Sequence, residues 1–179
     1  GRYLWVNDEE TFAYLQDSWG GTIWTIDVSN KAKPVKKGYY WNAGAYSAEH
    51  DKFVGKGSFL YLPGEGKVVI LDVSNPESPV LTGQFPGDLG SAPTRITRAG
   101  DRVYVTTVFL KEDGSYEKAL FIYDISKPRT PVLQSRLSLI RNTVIPNEIS
   151  SPQITIDDKY AYIMLANERT FAIVDVTDP

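Results

Sequence analysis

Four aspartates recur 45 to 52 residues apart: Asp27, Asp72, Asp124 and Asp175. Each ends a short apolar run and is followed by Val or Ile and then by Ser or Thr, as in TIWTIDVSN at 22–30, KVVILDVSN at 67–75, ALFIYDISK at 119–127 and TFAIVDVTD at 170–178. A row of carboxylates can hold a cation or move a proton, so these positions come first in a search for chemistry. The second candidate is His50, the only histidine, which stands between Glu49 and Asp51. One imidazole with two carboxylates contributes to a transition-metal site only if other ligands arrive from elsewhere. No cofactor is expected, and His50 is the one metal-ligand candidate.

Other residue types exclude much. The absence of cysteine removes disulfides, thiolate metal sites and thiol nucleophiles, and leaves the redox compartment undetermined. There is no Gly-x-Ser-x-Gly and no His-Glu-x-x-His, and a single histidine cannot serve several triads. Gly55-Lys56-Gly57 and Gly64-Glu65-Gly66 open no helix that could cradle a phosphate, and no Asp-rich loop has the spacing of a calcium hand. A net charge of −3 with a pI near 5.2 argues against a nucleic-acid partner. The one basic cluster, Lys31, Lys33, Lys36 and Lys37, reads as a solvated strand edge. No apolar run is long enough for a membrane span.

The elements that position the aspartates repeat with them. Each unit reads as four short strands, A to D, rich in Val, Ile, Tyr and Phe and bounded by Gly, Asp, Asn or Pro. The expected A strands are 3–6, 51–55, 94–98 and 153–156; the B strands, each with a tyrosine, are 12–15, 59–62, 103–105 and 161–163. Strand C is the run ending in the aspartate. Strand D follows a proline, at 34–39, 79–85 and 131–137. An Asp at the end of strand C can accept hydrogen bonds from backbone N–H groups just ahead of it and set the turn into strand D, with the hydroxyl residue reinforcing it. This turn reading is preferred over a row of functional carboxylates. Residues 110–118 are expected as a long B–C loop turning at Asp113-Gly114, and 140–150 as a second loop insertion.

The pattern of aromatic strand, apolar strand ending in Val-Asp-Val-Ser, Asn-Pro, Pro-Val and a Gly-containing strand resembles the LVIVD repeat of bacterial and archaeal β-propellers. Residues 67–85, KVVILDVSNPESPVLTGQF, and 170–176 carry the likeness best, and it extends over essentially the whole chain. The resemblance implies an all-β protein, a β-propeller of four-stranded antiparallel blades around a channel, with about three and three-quarter blades at 1–41, 46–85, 92–139 and 150–179. It is also distantly like selenium-binding-protein-type propellers, whose channel-mouth histidines are not matched by Tyr3, Pro93 and Ser151 here.

The ring could be completed by further blades of the same protein, by a second chain, or by closure of four blades with an incomplete last one; an open half-ring exposes the flat apolar faces of its terminal blades, so a protein partner or a second copy completing the propeller is expected. Trp19 in a B–C loop, Tyr46, Glu49, His50 and Asp51 before the second strand A, and Arg95 at the third strand A make the candidate ligand or partner surface. Tyr39, Tyr40, Trp41 and Tyr46 form an aromatic group expected mainly in inter-blade packing. The functional expectation is a non-enzymatic scaffold for protein interaction or structural assembly, cell-surface or extracytoplasmic. The lack of an initiating Met and the stop at Pro179 within a repeat fit a processed or partial chain. The alternatives are part of a metal- or cofactor-dependent propeller enzyme completed by other blades, and a subunit of an extracellular filament or surface layer.

Overall fold

The computed structural model describes residues 3–17, 21–41, 52–64, 66–85, 95–142 and 152–179. It is all-β, with one 3₁₀ turn at Ala166–Glu168 among the described residues. The first sheet contains β1 (Tyr3–Val6), β2 (Phe12–Gln16), β3 (Thr22–Asp27) and β4 (Val35–Trp41). The second contains β5 (Val54–Lys56), β6 (Phe59–Gly64), β7 (Lys67–Asp72) and β8 (Val80–Phe85). The third contains β9 (Arg95–Ala99), β10 (Arg102–Leu110), β11 (Tyr116–Asp124) and β12 (Val132–Asn142), and the fourth β13 (Gln153–Ile156), β14 (Tyr160–Leu165) and β15 (Thr170–Asp175). Within each sheet the strands pair antiparallel in chain order, so every sheet is a simple meander. The four sheets are arranged as blades of a propeller.

The register repeats with the sequence. Tyr14, Tyr61, Tyr104 and Tyr162 occupy one equivalent place, opposite Trp5, Val54, Thr97 and Thr155 of the neighbouring first strands. Because side chains alternate across a strand, each tyrosine marks the face its sheet turns to the next sheet. Three cores result. Tyr14 and Ile23 pack on Leu60, Leu62 and Val69; Tyr61, Val68 and Ile70 on Val103, Val105 and Phe121; Tyr104, Leu120 and Ile122 on Ala161, Ile163 and Leu165. Burial of such side chains contributes roughly 25 cal/mol per Å² of apolar surface, so the joints between sheets carry most of the stabilisation.

Two glycines show how closely the sheets approach. The Trp5 ring lies over Gly55, where an added Cβ would stand 2.4 Å from it. Gly38 lies beneath the turn of the second sheet, where a Cβ would stand 2.5 Å from the Glu77 carbonyl oxygen.

The expected long loop at 110–118 is a correction. β10 and β11 extend through it, pairing up to Leu110 with Tyr116, and only the turn around Asp113-Gly114 is left, with Gly114 at φ +78°. Alternation continues through the extension: Val108, Tyr116 and Lys118 are buried on one face, Glu117 on the other. Residues 140–142 likewise belong to β12, whose length follows that of β11.

Candidate interaction surfaces

The four repeated aspartates are occupied in turns. The N–H groups of Ser29, Ser74, Ser126 and Thr177 donate to Asp27, Asp72, Asp124 and Asp175 Oδ1 at 3.0, 2.9, 2.6 and 3.0 Å. The Ser29 hydroxyl adds a bond to Asp27 at 2.6 Å, and the Thr177 hydroxyl bonds Asp175 in the same way. The Ser29 and Thr177 hydroxyls, with the backbone bonds, hold Asp27 and Asp175 below the usual carboxylate range, and the Ser126 backbone N–H does so for Asp124. At Asp72 burial acts upward but is outweighed by Ser74 and by Arg129 of the third sheet, 2.7 Å away. These carboxylates are committed acceptors rather than free bases.

Of the sequence-derived surface, Trp19, Tyr46, Glu49, His50 and Asp51 lie outside the described residues. Arg95 opens β9, half-buried, in a hollow of about 250 Å³ shared with Lys52, Ile96, Gln153 and Ile154. First strands of adjacent sheets run side by side here, so the hollow faces the centre of the arrangement. No group of three His, Cys, Asp or Glu that could hold a metal occurs among the described residues.

Two buried charge clusters lay outside the sequence reading. Lys118 of β11, fully buried, meets Glu168 of the 3₁₀ turn at 2.8 Å, and the Tyr116 hydroxyl donates to the other Glu168 oxygen at 2.7 Å. Burial would raise the Glu168 pKa, but Lys118 and Tyr116 reverse this and hold it low. On the opposite face Glu117 is ringed by Arg136 at 3.0 Å, Lys111 at 3.6 Å and Arg141 at 3.8 Å. Arg136 also lies over the Phe109 and Phe121 rings. The only signal for either was the period-two continuation Tyr116, Lys118, Leu120 through residues read as loop.

The outward faces of the first and fourth sheets both carry exposed apolar side chains. On the first, Leu4, Val6, Tyr39 and Trp41 are exposed, while Tyr40, pointing the other way, packs toward the second sheet. The expected inter-blade packing of this aromatic group therefore holds for Tyr40 and not for Tyr39 or Trp41. Lys36 instead sits 3.4 Å above the Trp24 ring on the open face. A hollow of about 620 Å³ is lined there by Leu4, Val6, Ala13, Val28, Asp8 and Glu10, among others. On the fourth sheet Tyr160, Tyr162, Met164, Phe171 and Ile173 are exposed together.

Repeated meanders joined face to face, with a turn carboxylate at the end of every third strand, define a repeat β-propeller. The LVIVD repeat family matches at residues 2–41, 55–86 and 150–179, more than half of the chain, and the chain belongs to that family. The third sheet, with its lengthened hairpin, lies in the unmatched stretch 87–149. No curated protein matches the sequence. A crystal structure of a protein from Lactobacillus plantarum shares the fold, with a TM-score of 0.52 at 13% identity over 97% of this chain. This chain covers 54% of that protein, about half its length.

Proposed function

We propose that this chain is a non-enzymatic β-propeller scaffold that joins protein partners through the open faces of its end sheets, at the cell surface or in the extracytoplasmic space. One observation carries the reading: side chains of the type that form the three internal joints stand in solvent on both end sheets. The turn carboxylates, the other repeated polar feature, are engaged in the fold itself.

The test combines three measurements on the purified chain. At dilutions where the chain is monomeric, a hydrophobic dye should bind and be displaced by charged substitutions at Leu4 and Phe171, elemental analysis should find no stoichiometric metal, and cell fractionation should place the protein outside the cytoplasm. A monomer that binds no dye lacks the open faces and ends the scaffold reading. A stoichiometric transition metal lost with His50→Ala would instead favour the enzyme alternative.

A further inference from the structure

Register equivalence shows that the two open faces are the two halves of one joint. The face each sheet turns to the next carries a tyrosine, and Tyr14, Tyr61 and Tyr104 are 2%, 0% and 3% exposed, whereas Tyr162 is 38% exposed. Beside it, Phe171 is equivalent to Ile23, Val68 and Leu120, and Ile173 to Thr25, Ile70 and Ile122. Those six are buried, while Phe171 is 68% and Ile173 55% exposed. The opposite face, which receives the preceding sheet, shows the same contrast: Phe53 and Ile96 are buried, and the equivalent Leu4 is 51% exposed. The fourth sheet thus presents an unfilled plug and the first an unfilled socket.

The polar contacts of the internal joints have counterparts too. Lys56, at the first hairpin turn of the second sheet, donates to the Ile125 carbonyl at 3.2 Å, and Arg102 of the third sheet to the Val176 carbonyl at 3.1 Å. Each acceptor is the residue after a repeat aspartate. The equivalent residue on the socket is Val28, which lines the hollow, and the equivalent turn of the plug carries the exposed Lys159.

We propose that two copies of this chain associate head to tail, the fourth-sheet face of each seated on the first-sheet face of the other, with Lys159 reaching the Val28 carbonyl. This rests on the scaffold reading and names its partner. The fold likeness fits the size of the occupant, since this chain covers 54% of the Lactobacillus plantarum protein and leaves a length close to that of a second copy. A plug-to-socket contact is heterologous; two identical joints related by a twofold axis close it into a pair, whereas a rotation that does not close would run on as an open polymer.

Native mass spectrometry and light scattering on the purified chain test this. A two-copy assembly that dissociates on dilution is expected. Phe171→Asp with Ile173→Asp breaks the plug, and Leu4→Asp with Val6→Asp breaks the socket; each pair should weaken association by about 30-fold or more. All four positions are exposed, and unchanged circular dichroism melts of the dilute variants verify folding. Mixing plug-broken with socket-broken chains leaves one joint intact and should restore pairing. Persistent monomer overturns the proposal, as do pairing that survives either variant, no recovery on mixing, and an open polymer in place of a pair. A monomer that still binds the hydrophobic dye overturns only the second copy as partner, whereas a monomer that binds none overturns the scaffold reading with it.

Discussion

The second and fourth sheets use the same vocabulary in different surroundings. In β7, Val68 and Ile70 face the third sheet and Val69 and Leu71 the first, and all four are buried. In β15, Ala172 and Val174 pack against the third sheet while Phe171 and Ile173 face solvent. The residue types of a strand thus report the surface it is suited to cover, and its neighbours decide whether that surface is covered. The two sheets also differ in how they are tied. The second has apolar contact on both faces besides its polar ties through Lys56 and Asp72, whereas the fourth leans on one apolar face, the Arg102–Val176 bond and the buried Lys118–Glu168 pair.

That contrast can be broken by substitution. The largest effect is expected from Lys118→Met, which strands Glu168 in a buried site and should lower the unfolding free energy by about 3–5 kcal/mol. The double change with Glu168→Gln should recover part of it, and chemical denaturation measures both. A fully tolerated Lys118→Met would mean that the fourth sheet is held by packing alone. Leu62→Ala should cost about 2–5 kcal/mol, since it empties a site closed on every side, whereas Ile173→Ala in dilute monomer should cost under about 1 kcal/mol. Equal losses would show the fourth face covered in solution.

Register-equivalent glycines sharpen the comparison on a smaller scale. Gly38→Ala drives a Cβ into backbone at Glu77 and should cost about 1–3 kcal/mol. Gly83→Ala meets the Ile70 Cδ1 atom at 3.6 Å and the Arg129 carbonyl oxygen at 3.8 Å, both ordinary van der Waals contacts, and should fall within about 0.5 kcal/mol of the parent. The smallest signal is in pH. Glu168 has its pKa lowered by folding, so its contribution is present in full above the ordinary carboxylate value of about 4.3 and is lost as pH falls through the lower folded value. Hydrogen exchange followed from pH 6 downward should show β14 and β15 opening before β6 and β7. Simultaneous opening would count against a separate tie for the fourth sheet.

Much of the fold was legible because the strands are short, alternate cleanly and end at turn residues. β1, β3, β7, β13 and β15 fall where pattern and punctuation put them, and the Asp-to-Ser spacing announces the turn. The hairpin of β10 and β11 was not legible, since Lys111, Glu112, Asp113 and Gly114 read as loop, and Glu117 and Lys118 gain burial only through partners 19 and 50 residues away. The open faces were legible as a class and not as residues: Phe171 carries the same local signal as Ile23, and only the placement of sheets separates them. Of the residues chosen from sequence for a ligand surface, the structure describes Arg95 alone.

The turn at the end of each third strand bears on how such a chain can arise. Asp27, Asp124 and Asp175 each take a hydrogen bond from a donor two residues ahead, so the carboxylate's turn bond is made within its own unit. A stretch of gene encoding one unit can be copied in tandem and yield a working turn at once, before any contact between old and new copies has been refined. Asp72 adds to the same local turn a partner from the following sheet, Arg129.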